Sequence, residues 1–167
     1  MIPVLIETLV VNPKESASVI ILRPFGESKT SGRILPIYIG PNEAISIGMA
    51  LENIPRPRPI THDLIIDIFS ELNINLKYIS IVKVDGTTFY AELHIEQNDK
   101  TYIVDARPSD AMALAVRTGA PIFVSSEVMD RASYPYILGK QVYDEAQIIE
   151  DFHDFVQNLE PSDFSSK

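Results

Sequence analysis

IVDARPSDAMALAVR at residues 103–117 and IYIGPNEAISIGMAL at residues 37–51 are one pattern written twice. With Pro41 set on Pro108, an offset of 67, Asn42-Glu43-Ala44 falls on Ser109-Asp110-Ala111, and Ile45, Ile47 and Gly48 fall on Met112, Leu114 and Ala115. Each copy starts as an Ile/Val-rich strand and reaches a proline suited to the first position of a helix, where its missing N–H costs no intrahelical bond. Apolar residues at a helical period then follow. Three strand-like runs precede each helix, and a second capped helix start follows each, at Thr61-His62-Asp63-Leu64 and at Ser125-Ser126-Glu127-Val128. The expectation is a duplicated β-β-β-α-α unit, giving an α+β chain with a mixed, largely antiparallel sheet and helices packed on it. The repeat places Glu43 and Asp110 at equivalent positions in the first turns of two equivalent helices.

The flanking sequence supplies the other elements. Residues 2–11 and 17–23 are rich in Ile and Val and bounded by Asn-Pro and Pro-Phe-Gly, which reads as two strands joined by a short turn, and a third strand runs from Arg33 to Ile39. Three prolines in Ile54-Pro55-Arg56-Pro57-Arg58-Pro59 forbid helix and make a stiff extended connector. Thr61 then suits the cap of a helix whose stripe is Leu64, Ile65, Ile68, Phe69 and Leu72. Asp85-Gly86 is a hairpin signal between strands 75–85 and 87–97, the second alternating dry Phe89, Ala91, Leu93 and Ile95 with wet Tyr90, Glu92, His94 and Glu96. A strand from Thr101 to Ala106 leads to the helix that Gly119 closes, then to a short strand at 122–125 and a short helix at 126–131. Residues 144–159 predict a C-terminal amphipathic helix with the stripe Ile148, Ile149, Phe152, Phe155, Val156 and Leu159, and 160–167 a disordered tail.

At 167 residues the chain is one domain in size, with 46% hydrophobic and 22% charged residues, enough apolar surface for a core. Without cysteine it has no disulfides, no thiolate nucleophile and no Cys-based metal site, and three histidines leave little room for a His cage, so any metal must rest on oxygen ligands. No window reads as a membrane span or a secretory leader, and the expectation is a cytoplasmic protein with no membrane partner. The net charge of −9 is uneven: residues 1–126 carry 11 Lys/Arg against 14 Asp/Glu, and residues 127–167 carry 3 against 9. A polyanion would need a local basic patch or intervening dications to approach this chain.

Glu43, Asp63, Asp105 and Asp110 collect at strand ends and helix starts, and such oxygen donors are what Mg²⁺ or Mn²⁺ needs. Acids in first turns also offset the helix dipole and cap orphan N–H groups, and for Glu43 and Asp110 taken singly capping is the favoured reading. Asp105 ends an apolar strand just before a helix, where α/β folds place ligands. His62 beside Asp63 offers a proton-moving side chain next to a carboxylate. Arg56, Arg58 and Arg107, with Arg117 one helix away, form the basic grouping suited to gripping phosphates. His94 and His153 read as solvated surface positions. There is no Gly-rich phosphate loop, no GxSxG elbow and no HExxH.

At Arg58-Pro59-Ile60-Thr61-His62-Asp63-Leu64, at Thr88-Phe89-Tyr90-Ala91, at Leu35-Pro36-Ile37-Tyr38-Ile39-Gly40 and Glu43-Ala44, and above all at Asp105-Ala106-Arg107-Pro108-Ser109-Asp110-Ala111-Met112-Ala113-Leu114-Ala115, the sequence resembles the bifunctional nuclease family. The resemblance covers roughly residues 3–132. It implies an α+β domain that cleaves both DNA and RNA with a divalent cation. Asn53-Ile54-Pro55-Arg56 departs from a Gly-bearing stretch of the family, which alters the path of that loop. On this basis residues 1–132 form the nuclease-like domain, 133–159 a helical extension packing on it, and 160–167 the tail. As an enzyme, Asp63, Asp105 and Asp110, with Glu43, would hold Mg²⁺ or Mn²⁺, His62 would move a proton, and Arg107 would steady developing charge. The rival reading is a non-catalytic regulatory or binding module with an acidic docking tail, its polar residues serving as caps and ion pairs. High Ile, Val and Leu content predicts a homo-oligomer under either.

Overall fold

Branched aliphatic residues dominate every strand, and prolines or glycines stand where strand passes into helix. A computed structural model describes residues 1–12, 17–28 and 32–136. The expected helix at 144–159 and tail at 160–167 lie outside the described residues. The elements are β1 (Ile2–Asn12), β2 (Ala17–Pro24), β3 (Arg33–Ile39), α1 (Pro41–Leu51), α2 (Thr61–Glu71), β4 (Asn75–Asp85), β5 (Thr88–Gln97), β6 (Lys100–Ala106), α3 (Pro108–Thr118), β7 (Ile122–Val124), α4 (Ser126–Ala132) and β8 (Tyr134–Pro135). The fold is α+β, and its strands form one mixed sheet in the order β6-β5-β4-β7-β1-β2-β3-β8. All pairings are antiparallel except β4 with β7. The β1-β2-β3 and β4-β5-β6 meanders lie on opposite sides of β7. The second helices do not match: α2 packs on α3, whereas α4 packs on β4 and β3.

One continuous core lies between sheet and helices, with Ile20, Leu35, Ile79 and Ile81 from strands meeting Ile47 and Met112 from helices, all at 0% exposure. Small residues let α1 and α3 approach each other: Ala44 and Gly48 on one, Ala111 and Ala115 on the other, all buried. Removing Cβ bulk at a helix crossing shortens the distance at which backbones can meet and keeps the space filled. Both helices start alike, with an extended N-cap, Gly40 or Arg107, followed by proline. α3 ends at Gly119 in the left-handed region, φ 70°, as a glycine C-cap does. Ser125 caps α4 by accepting from the Val128 N–H.

Two sequence expectations need correction. The N-cap of α2 is Ile60, not Thr61, and the capping bond comes from the other direction, with Asp63 Oδ2 accepting from the Ile60 N–H at 3.0 Å. His94 is buried, not solvated: it stacks on Tyr78 with ring centroids 4.0 Å apart and its Nε2 lies 2.9 Å from Ser80 Oγ. β6, the apolar strand that Asp105 ends, is the sheet edge, with Tyr102, Ile103 and Val104 all exposed.

Candidate functional site

The first turns of α1, α2 and α3 converge at one end of the helix layer, and each brings polar side chains to the same spot. Glu43 comes from α1, His62 and Asp63 from α2, and Asp110 from α3, with Arg107 as the N-cap of α3. Proline at the start of α1 and of α3 fixes where each chain turns, and the two acids two residues on do not cap their own helices. Their oxygens meet the Arg107 guanidinium instead, whose Nε is 2.7 Å from Asp110 Oδ2 and whose Nη2 is 3.0 Å from Asp110 Oδ1 and 2.9 Å from Glu43 Oε1. Gly40 permits this. A Cβ at that position would collide with the Glu43 carboxylate.

His62 is buried and held at both ring nitrogens, Nδ1 by Ser46 Oγ at 2.8 Å and Nε2 by Asp110 Oδ1 at 3.2 Å. With Asp110 ionised, the arrangement that satisfies every group has Nε2–H donating to the carboxylate and Nδ1 accepting from the Ser46 hydroxyl. Behind this pair sits Arg117, with only 6% of its side chain exposed, donating from Nε to Asp63 Oδ1 at 2.7 Å and from Nη2 to Ser46 Oγ and its carbonyl, both at 3.1 Å. Arg56 Nε takes the other Asp63 oxygen at 2.7 Å.

The electrostatics follow from these contacts. Burial pushes the Asp110 carboxyl up, but hydrogen bonds from Arg107 and His62 and the Arg107 charge outweigh it and hold it below the usual carboxylate range. Asp63 behaves alike, burial being outweighed by the Arg117 hydrogen bond, the Ile60 N–H and the two guanidinium charges. Arg107 is raised, first by its hydrogen bond to Asp110. Both carboxylates are therefore anions whose charge is already answered.

The sequence-derived site is thus assembled in part. His62, Asp110, Arg107 and Glu43 meet around one groove, and Arg56 and Arg58 line it. Asp63 is present but engaged by Arg117, Arg56 and backbone, which makes it a brace. Asp105 is elsewhere. It pairs in register with Glu92, while Leu93 and Val104, the residues adjacent in each strand, line the groove under the helices. Because side chains alternate along a strand, Asp105 and Glu92 face the other side of the sheet, away from Asp63 and Asp110. Among the described residues no three His, Asp or Glu side chains are grouped so as to hold a metal ion. With Asp63 and Asp110 already in ion pairs and Asp105 on the opposite face, the four carboxylates do not fit a shared dication. Sequence reasoning missed Ser46 and grouped Arg117 with the phosphate-gripping cations, whereas its buried guanidinium is committed to Asp63 and Ser46. A serine between Ile45 and Ile47 on a buried helix face is a polar group that must find a partner, and that signal was available.

A family model of the bifunctional nuclease domain matches residues 25–136. The chain belongs to that family. A protein of Mycobacterium tuberculosis (strain ATCC 25618 / H37Rv), itself uncharacterised, is 38% identical over 140 residues, covering 80% of this chain and 82% of the relative. Bifunctional nuclease 1 of Oryza sativa subsp. japonica is 26% identical over 101 residues, 59% of this chain and 30% of the relative. Bifunctional nuclease 2 of Arabidopsis thaliana is 28% identical over 98 residues, 57% of this chain and 30% of the relative. The bifunctional nuclease domain thus includes every residue of the groove's polar end. No helix among the described residues is long and apolar enough to cross a membrane.

Proposed function

We propose that this chain cleaves phosphodiester bonds of DNA and RNA at the junction of the α1, α2 and α3 N-termini. The observation that carries the reading is His62 held at both nitrogens in an open groove, with the Arg107 guanidinium, 66% exposed, on the far side of the shared Asp110 carboxylate. A phosphate entering the groove competes with Glu43 and Asp110 for Arg107, and bidentate N–H donors suit its oxygens. Helix N-termini pointing at the same place favour an anion there. Once Asp110 releases a hydrogen bond to Arg107, its charge is left to orient and stabilise the imidazole. With Nε2–H given to Asp110, His62 acts through Nδ1: it takes the Ser46 hydroxyl proton as that oxygen takes one from the attacking group, and the proton returns by the same route to the leaving oxygen. Arg58, on the stiff connector, and Arg56 extend the phosphate grip. No step is routed through a dication, and Mg²⁺ or Mn²⁺ enters as a variable of the test.

The test is a paired assay of parent, His62→Ala and Asp110→Asn on single- and double-stranded DNA and RNA, with Mg²⁺, with Mn²⁺ and with EDTA. The expected result is a loss of roughly 100-fold or more for His62→Ala, in the cation condition that supports the parent. A His62→Ala protein as active as the parent, purified to constant specific activity, overturns the reading. The non-catalytic alternative draws support from Asp63, whose oxygens are wholly occupied, but it also calls for a closed site, and the groove is open. We also propose a homo-oligomer through the β6 edge, where Ile103 is 60% exposed on the strand's outer face.

A further inference from the structure

The groove does not end at its polar mouth. It continues as a trough between α2 and the sheet, lined by Leu64, Ile65 and Phe69 from α2, Leu93 and Ile95 from β5, and Val104 from β6, and the whole measures about 1170 Å³. α2 rests on α3, and Leu64 at 54% and Val104 at 42% exposure leave the trough open along its length. Its rim is cationic. Arg58 is exposed and its side chain pairs with no described residue, and Arg56 Nη1 is buried with no hydrogen-bond partner among the described residues. A buried donor left without an acceptor is costly, and this one is available to an acceptor that arrives with a ligand.

The ligand this combination recognises has an anionic group for the mouth and a flat, largely apolar body for the trough, joined by a short link. A nucleotide has that form. In a duplex the faces of each base are stacked on neighbours and its edge is paired, so the trough would meet only backbone; an unpaired base presents its faces freely. The volume exceeds that of most single-ligand pockets and leaves room for more than one nucleotide. From the proposed nuclease activity of the same groove, on which this step rests, we infer that the trough takes up unpaired nucleobases, so that the substrate is single-stranded DNA or RNA and duplex is discriminated against.

The test uses the full chain and fluorescence anisotropy with three 5′-fluorescein probes of ten nucleotides: oligothymidylate, an abasic strand with the same phosphates, and a blunt duplex, each checked by gel for integrity after the measurement. Oligothymidylate is expected to bind at least about tenfold more tightly than the other two, the scale of one or two base contacts with an apolar or aromatic side chain. Val104→Glu, at an exposed edge-strand position, is expected to abolish that preference with the circular dichroism unchanged, and Leu64→Glu on α2 gives an independent second variant. Equal affinity for the base-bearing and abasic strands overturns the inference and leaves the phosphate-gripping mouth standing. Failure of all three probes to bind overturns the proposed function with it. If Val104→Glu turns a dimer into a monomer by light scattering while the preference persists, a second copy occupies the trough and the inference falls.

Discussion

At His62 the placement of single atoms separates the chemical residues from the structural ones. Glu43, Asp63 and Asp110 all occupy the third position of a helix, where an acid can cap. Only Asp63 does so, through the Ile60 N–H, while Glu43 and Asp110 turn to Arg107. The distinction predicts a pattern across variants. Asp110→Asn weakens the anchor of both His62 and Arg107 and is expected to lower turnover at least tenfold. Asp105→Asn, on the other face of the sheet, is expected to stay within about twofold, as surface changes away from the reacting groups do, and the comparison is read from initial rates on one substrate. Equal loss in both variants would mean that the two faces of the sheet act together. Gly40→Ala probes the same site without touching a charged group. The added Cβ drives the Glu43 carboxylate off Arg107, so the expected outcome is a changed KM for nucleic acid with little change in thermal stability.

At the scale of elements, α1, α2 and α3 are held in register by one buried guanidinium, since Arg117 of α3 binds Asp63 of α2 and Ser46 of α1. Asp63→Asn leaves Arg117 and Arg56 without their carboxylate, and breaking a buried pair of this kind costs about 3–5 kcal/mol. The pH dependence has a fixed sign. Asp63 is held below its ordinary value in the folded protein, so its contribution is fully present above the unfolded value near 4 and is lost as pH falls through the folded one. Urea melts of parent and variant should therefore differ most at neutral pH, start to approach one another below about pH 4 and meet only below the lowered folded value. The elements themselves were legible because their causes are local: proline at a helix start, glycine at its end, and periods of two or 3.6 along the chain. The brace was not, because Arg117 and Ser46 are 71 residues apart and meet only when α1 and α3 cross. Asp105 illustrates the same limit. That Val104 and Asp105 face opposite ways follows from their adjacency, but which face carries the helices is settled by the pairing of distant strands. β8, two residues long, carries no period to read.

Over the whole molecule the net charge sets a bound on how nucleic acid can be held. The chain carries −9 overall, and among the described residues the groove gathers its cations at one mouth, where Arg56, Arg58 and Arg107 line the cavity. A protein that bound a strand through a broad basic face would neutralise many phosphates and release many counterions. This one has about three guanidinium groups to offer, so the logarithm of its affinity for a single strand should fall with the logarithm of salt at a slope of about −2. The remaining surface is acidic and repels the strand beyond the groove, which lowers the association rate at low salt below that of a neutral protein. Anisotropy titrations of oligothymidylate between 25 and 300 mM KCl measure the slope, and Arg58→Ala should reduce it by about 0.7 while leaving the base-dependent part of the affinity in place. A slope of −5 or steeper would place the strand on a surface other than this mouth, and with it would go the assignment of Arg56, Arg58 and Arg107 as the phosphate grip. A slope near −2 that is insensitive to Arg58 would shift the electrostatic contact onto Arg107 and the helix N-termini, where the imidazole of His62 lies.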